Sequence, residues 1–317
     1  MTGRSLVVGT ALAALVLCLL PSDAWAWTPG THVYLGETVL ANLARLPEGA
    51  ASLLRAFPYD FLYGNIAADT SIAKKYVPVG RHCHSWTVGQ EILERAESEK
   101  LRAFALGYLS HLAADCVAHN FFVPRQLVIT SRTIALGHSY WESRFETHLG
   151  EQYARTAMDV IRVGHDDADA HLDAILAPTI FSVRTSRRLF RGMVGITETQ
   201  SWQRVFRVAS EASRWDIADQ MVEAHMATAY EYVMDMLSGD TSMAHKLDPS
   251  GEASLGLAKR MRIDVMKRVS SPPVEELVAM ADEHFRLPPD QALPFWADSS
   301  AVRPWHHRAL PGDRESG

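Results

Sequence analysis

Residues 107–122, GYLSHLAADCVAHNFF, place His111, Asp115 and His119 at intervals of four, and residues 137–146, GHSYWESRFE, place His138 and Glu142 at the same interval. On an α-helix such residues lie on one face, so each stretch would aim nitrogen and carboxylate donors in one direction. These are the side chains zinc takes where thiolates are not used. Two such helices facing each other could hold more than one ion. A lone histidine on an apolar helix is ordinarily a buried, hydrogen-bonded residue. Several donors recurring on two largely apolar stretches are different. Buried charge is costly unless paired or bound to metal, and no Lys or Arg lies between residues 107 and 123 to complete a salt bridge.

The start of the chain supplies a further donor. Arg4 gives a positive n-region, residues 6–20 an apolar run, and Ala24-Trp25-Ala26 a small-x-small cleavage site. The run is short for a membrane span, which needs about 20 residues. A signal peptide over residues 1–26 is therefore expected, with export and Trp27 as the new terminus. A free α-amine has a pKa of roughly 8 and can offer a lone pair near neutrality. His32 follows five residues later. Pro29 and Gly30 set a turn, and Val33, Leu40, Leu43 and Leu46 mark a helix from Thr31-His32 through residues 41–43.

These donors need a scaffold, and the sequence describes a helical one. Helical spacing runs through residues 88–95, 101–121, 141–161, 202–217 and 221–237, with little period-two alternation. The expectation is an all-α helical bundle with the metal cluster between helices. The loop over residues 64–85 carries Asp69, His82 and His84. From residue 287, Pro288, Pro289, Pro294 and Pro304 suggest an irregular tail. The expected organisation is thus residues 1–26 as signal, 27–286 as a helical domain and 287–317 as a Pro-rich tail.

A chain of 317 residues with 47% hydrophobic content can build an ample core, and a net charge of −6 speaks against general affinity for nucleic acid backbones. Past the signal only Cys83 and Cys116 remain. Both sit beside candidate ligands; a buried thiol or a disulfide is favoured over a zinc ligand. Arg184, Arg187, Arg188 and Arg191, in SVRTSRRLFRGMVG, read as a solvated face or as a contact for anionic headgroups or phosphates. His148, His165, His171, His225, His245, His284, His306 and His307 lack ligand-like neighbours and read as core or surface residues.

The set as a whole (Trp27 after Ala26, Thr31-His32, GNIAADTS, HCHSW, HLAADCVAH and GHSYWE) resembles the bacterial zinc-dependent phospholipase C family, related to the S1/P1-type nucleases. The resemblance covers residues 27–150. It implies that the amine and carbonyl of Trp27 and the imidazole of His32 bind one ion. It implies that Asp69 is a ligand and the general base. His82 or His84 joins Asp69; His84 is preferred because His84-Ser85-Trp86 keeps an aromatic ring nearby. His111 and Asp115 follow, with Asp115 bridging two ions. His119, His138 and Glu142 take the last ion, for three Zn2+ in all. The interval from Asp115 to His119 is shorter than usual in that family. Asn65, Ser110 and Asn120 are candidates to support the imidazoles from behind.

The function implied is an exported phospholipase C that cleaves glycerophospholipids to diacylglycerol and a phosphorylated headgroup, with transient contact to a membrane surface. One alternative is an S1/P1-type nuclease or another phosphodiesterase, which would bring nucleic acid in as substrate. The other is a zinc-containing protein that binds lipid or a partner without turnover.

Overall fold

The computed structural model describes residues 27–71, 77, 81–130, 134–179, 181–197, 213, 215–239, 242–289 and 291–299. In chain order the helices are α1 (Pro29–Ala41), α2 (Glu48–Ala56), α3 (Pro58–Ala67), α4 (Trp86–Glu94), α5 (Glu99–Val117), α6 (Val123–Thr130) and α7 (Ile134–Leu149). They continue as α8 (Glu151–Arg162), α9 (Asp166–Ile175), α10 (Val183–Thr197), α11 (Asp219–Ser238), α12 (Glu252–Arg268), α13 (Val274–Phe285) and the short α14 (Pro294–Ala297). No strand occurs among the described residues, so the all-α expectation holds.

Helix α5 is the axis of the molecule. It is buried almost throughout, and α3 and α11 pack most extensively against it. Ser98 caps it, its hydroxyl accepting from the Leu101 amide at 3.2 Å. Small residues let neighbours close in. Where α3 crosses α5, a Cβ on Gly64 would stand 2.1 Å from the Phe104 carbonyl oxygen, and one on Gly107 would stand 2.1 Å from the Phe61 carbonyl oxygen. Only glycine allows backbones this close. The crossing sets the end of α3, and the 3-10 turn Ala68–Thr70 that carries Asp69, beside the donor face of α5.

Helix α1 begins with Pro29 in its first turn, where a missing N–H costs nothing. It packs on α3 and α8. Asn42 ends it, its side-chain amide donating to the Thr38 carbonyl at 2.7 Å. Helices α12 and α13 both lie against α6. Within segment 287–317, the short α14 docks on α11 with Trp296 buried, and the Phe295 and Trp296 amides donate to the Glu231 carboxylate.

Three boundaries differ from the sequence reading. The stretch 141–161 is two helices, because Gly150 adopts φ +111° and breaks the chain between α7 and α8. The α-helical part of 101–121 ends at Val117 and passes into a π turn at Ala118–Phe122. Gly64 lies in α3, and Asp69 in the 3-10 turn Ala68–Thr70, not in a loop. The expected signal, His306, His307, Pro304 and most of 202–217 lie outside the described residues; of that last stretch, 213 and 215–217 are described and are not helical.

The arginine cluster is a correction in part. Arg187 is buried, with Nη2 2.6 Å from Asp173 and Nε 3.1 Å from Asp169. Arg191 reaches Asp169 at 2.9 Å and the Tyr63 hydroxyl at 3.1 Å. These two look inward and tie α10 to α9 and α3, while Arg184 and Arg188 remain on the outside. The helical spacing that suggested a solvated face also places an inner face, and the inner arginines find acidic partners 14 to 22 residues away.

Candidate metal centre

Asp115, on α5, is completely buried and faces three imidazoles. Its Oδ1 lies 3.2 Å from Nε2 of His32 on α1. Its Oδ2 lies 2.9 Å from Nε2 of His84 and 3.1 Å from Nε2 of His111. One carboxylate therefore divides its two oxygens between two groups of donors. Asp69 comes in from the end of α3, with Oδ1 3.3 Å from Nε2 of His84 and 4.0 Å from Nε2 of His111. Further along, His119 on the π turn meets His138 and Glu142 of α7. The His119 and His138 rings stand edge to face with centroids 5.3 Å apart, and His138 Nε2 lies 2.6 Å from Glu142 Oε1.

The groups His32–His111–Asp115, Asp69–His84–His111 and His119–His138–Glu142 each bring their donor atoms within 4.8 Å of one another. The rings of His84 and His119, from the two ends of the set, are 6.2 Å apart. The cluster is continuous, as the sequence spacing suggested. The π turn explains how so short an interval works: it is wider than an α turn, and His119 joins the α7 donors rather than the group around Asp115. His84, the preferred choice, stands in the cluster; His82 stands outside that core and accepts from the His84 amide at 3.0 Å.

The chemistry of the donor set fits divalent metal. A carbonyl oxygen can only accept, so the ring nitrogens that contact one must donate. His111 Nδ1 donates to the Asn65 carbonyl at 2.8 Å, and His119 Nδ1 donates to the Pro249 carbonyl at 2.6 Å. In the neutral ring, Nε2 then carries the lone pair, and that atom of His111 faces the cluster. Its Nε2 meets Nε2 of His84 at 3.0 Å, a distance a shared cation explains well. The buried atoms His32 Nδ1 and Nε2 and both Asp115 oxygens make no aligned hydrogen bond, despite the close approaches. Buried polar atoms ordinarily find partners; here the lone pairs converge.

Electrostatics agrees. Burial lowers the pKa of His32, and the His111 ring beside it lowers it further, so the neutral ligand form is favoured. Burial opposes ionisation of Asp115, yet His111, His32 and His84 together hold its carboxyl well below the usual range. Asp115 is thus held as an anion beside the neutral-favoured ring of His32.

Other residues hold the donors in place. Cys83 and Cys116 are thiols, not a disulfide. The Cys83 sulfur lies 3.3 Å from His84 Nδ1, and the Tyr108 hydroxyl donates to the Cys83 carbonyl at 2.7 Å. Of the expected supports, Asn65 acts through its backbone carbonyl. The Ser110 hydroxyl instead donates to Leu106, and the Asn120 amide to Cys116 and Asp248, so neither side chain touches an imidazole. In a helix interior such hydroxyl and amide groups turn back to the preceding turn.

The sequence reading missed two supports. The loop 247–251 is pinned by Trp86 Nε1 donating to the Leu247 carbonyl at 3.0 Å, and it delivers Pro249 to His119. Gly251, at φ +60°, ends that loop; a Cβ there would stand 2.4 Å from the His119 Cβ. No local pattern links residues 130 apart. Glu146 is the other. It accepts from the Thr28 hydroxyl and lies against Gly30, so it ties the segment after Trp27 to α7. Its position four residues after Glu142 was the available signal. Trp27 itself is fully buried, stacked on Phe145 at 5.3 Å with its ring centroid 6.3 Å from that of His32.

The family model for zinc dependent phospholipase C matches residues 31–184. No curated protein and no solved structure matches the chain. The matched segment starts one residue before His32 and takes in every candidate ligand except Trp27. Residues 31–184 form a zinc-dependent phospholipase C family segment, and the protein is a hydrolytic enzyme of that type.

Proposed function

We propose that the protein is an exported phospholipase C that hydrolyses glycerophospholipids to diacylglycerol and a phosphorylated headgroup. The observation that carries this reading is the division of the Asp115 carboxylate between His32 on one side and His84 with His111 on the other. A carboxylate so placed could hold two ions at once. The three donor groups argue for three Zn2+: His32, His111 and Asp115, joined by the Trp27 backbone as the resemblance implies, would hold one, Asp69, His84 and His111 a second, and His119, His138 and Glu142 the third, with Asp115 Oδ2 also facing His84. A fourth combination, His82–Cys83–His84, shares His84, whose Nδ1 already meets the Cys83 thiol, and is better read as support. Export is supported by the Arg4, apolar run and Ala24-Trp25-Ala26 pattern, and cleavage there would release the Trp27 amine.

Bound zinc supplies Lewis acidity and lowers the pKa of a coordinated water from about 15.7 toward about 7. The chain does the rest. Asp69 orients the attacking water and accepts its proton as the water oxygen bonds to phosphorus. The phosphorus–oxygen bond to the diacylglycerol breaks, and the proton passes to the departing alkoxide. A carboxylate in this role typically contributes on the order of 10²- to 10⁴-fold. Asp115 fixes the distance between the two donor groups it joins. The carbonyls of Asn65 and Pro249 hold the rings of His111 and His119 in the tautomer that points Nε2 at the site.

The family match favours phospholipid over nucleic acid, and the net charge of −6 agrees. Purified protein assayed side by side on phosphatidylcholine and single-stranded RNA, with its zinc content measured, tests the proposal. Phosphatidylcholine hydrolysis with about three zinc ions per chain is expected, one for each donor group. RNA hydrolysis without lipid hydrolysis would turn the reading to the nuclease alternative. Tight zinc binding with no turnover of either would leave a zinc-containing binding protein.

A further inference from the structure

Helix α10 begins at Val183, one residue before the family match ends. It carries four arginines and no acidic residue. Its inner face is spoken for: Arg187 and Arg191 are held by Asp169, Asp173 and the Tyr63 hydroxyl. Its outer face is different. The Arg184 side chain is 71% exposed and only loosely near Asp173, at 3.8 Å. Arg188 is exposed and forms no ion pair among the described residues. Phe181, just ahead of the helix, is 37% exposed, and Leu189 is 43% exposed. Arg184 and Arg188, four apart, share one face of the helix; Leu189 flanks that face a step of about 100° round, and Phe181 lies just ahead of the first turn.

We propose that this outer face of α10 is a docking surface for an anionic phospholipid bilayer. The inference rests on the phospholipase reading and deepens it by naming the surface that meets the substrate in bulk. Arginines with an aromatic and an aliphatic side chain between and beside them make the pattern of a helix lying in a headgroup layer. The rings and methyls enter the acyl boundary while the guanidinium groups stay with the phosphates. Charge complementarity selects the partner. The whole chain is acidic, at −6, so a membrane would be repelled except where positive charge is concentrated, and α10 concentrates it. The nearest acids, Asp169 and Asp173 on α9, are already committed to the inner arginines. Helix α10 also packs against the 3-10 turn that carries Asp69. A bilayer docked on its outer face is therefore coupled, through one rigid element, to the segment bearing the proposed base.

The test uses the full chain and sedimentation with vesicles of phosphatidylcholine alone or with added phosphatidylglycerol. Each basic residue near an anionic surface is worth about 1 kcal/mol, or about fivefold. The double variant Arg184→Ala/Arg188→Ala should bind phosphatidylglycerol vesicles about 25-fold more weakly, with zinc content unchanged. Leu189→Ser should weaken binding to both kinds of vesicle by a smaller factor. Hydrolysis of a short-chain phospholipid dispersed as monomers should stay at the wild-type rate in the double variant, while hydrolysis of vesicles falls with binding. Equal vesicle binding by wild type and double variant overturns the proposal. So does wild-type protein that ignores vesicles and binds single-stranded RNA through the same arginines. Vesicle binding that depends on Arg184 and Arg188, in a protein that hydrolyses no lipid, would support the docking surface while refuting the catalytic reading.

Discussion

The cluster around Asp115 and the network around Asp169 both bury charge against α3, yet they resolve it in opposite ways. Asp169 meets two guanidinium groups and the Tyr63 hydroxyl, which donates to it at 2.5 Å. Arginine cannot lose its proton, so positive charge comes with the chain. Asp115 meets imidazoles, and burial pushes that of His32 toward the neutral form. One region pairs its charges with protein atoms alone, although Arg187 Nε and Arg191 Nε make no aligned hydrogen bond. The other presents lone pairs to lone pairs and is completed by cations. Burial of ionisable groups is therefore not the mark of a catalytic site; the mark is burial without internal compensation.

Chelation should separate the two regions most sharply. Removing zinc with a strong chelator is expected to abolish hydrolysis and to lower the melting temperature. Each site occupied at a hundred times its Kd contributes about 2.7 kcal/mol to the folded state. Near-ultraviolet circular dichroism would follow the loss, and added zinc should reverse it. A melting temperature indifferent to chelator would mean that the Asp115 cluster is compensated by protein alone, and the contrast would vanish.

Asp69→Asn sharpens the comparison within the cluster. It keeps shape but removes a proton acceptor. Turnover is expected to fall on the order of 10²- to 10⁴-fold, with most of the zinc retained on measurement by metal analysis. Wild-type turnover would remove Asp69 from the role of base.

The other region predicts a different phenotype. Arg187→Ala takes from Asp173 its closest partner and from Asp169 one of its two guanidinium groups, with Arg191 and the Tyr63 hydroxyl remaining, and breaking a buried pair costs at most about 3–5 kcal/mol. The expected result is a lower midpoint in chemical denaturation, with zinc per folded chain unchanged. Loss of zinc at temperatures where the variant is folded would show that the two regions are one.

The two regions also differ in how far the sequence discloses them. Ligands on one helix face are legible from spacing alone: His111 with Asp115, and His138 with Glu142, converge in space as their intervals imply. The helical class is legible for the same reason. The π turn at Ala118–Phe122 is not, because an i to i+5 turn has no distinctive residue pattern, and it decides which group His119 joins. Nor is the Pro249 carbonyl legible; backbone oxygens carry no signature, and this one arrives from 130 residues away. The arginines of α10 show the converse limit. Their charge is plain in the sequence, but the division into an inner pair and an outer pair depends on Asp169 and Asp173, which belong to another helix. The same four-residue spacing that reveals ligands hides which side of a helix is inside.

Glu231 offers the smallest and most discriminating check, because it is a buried carboxylate with no guanidinium partner among the described residues. Burial raises its pKa from an ordinary value near 4.5 to about 7, and the Trp296 and Phe295 amides, which donate to it at 3.1 and 3.3 Å, offset only part of that rise. Asp115 is at least as buried and moves the other way, since its imidazole neighbours outweigh desolvation. The two carboxylates isolate the effect of partners. A raised pKa in the folded state means that folding favours the protonated acid. Its stabilising share is present below the unfolded pKa near 4.5, declines as pH rises, and is lost above about 7. Ionised Glu231 should then cost about 1–3 kcal/mol. Glu231→Gln, which keeps the shape without the charge, is expected to match wild type at pH 4.5 and to exceed it in denaturant midpoint at pH 8. A difference of equal size at both pH values would show that the amide contacts, rather than desolvation, set the behaviour of this group.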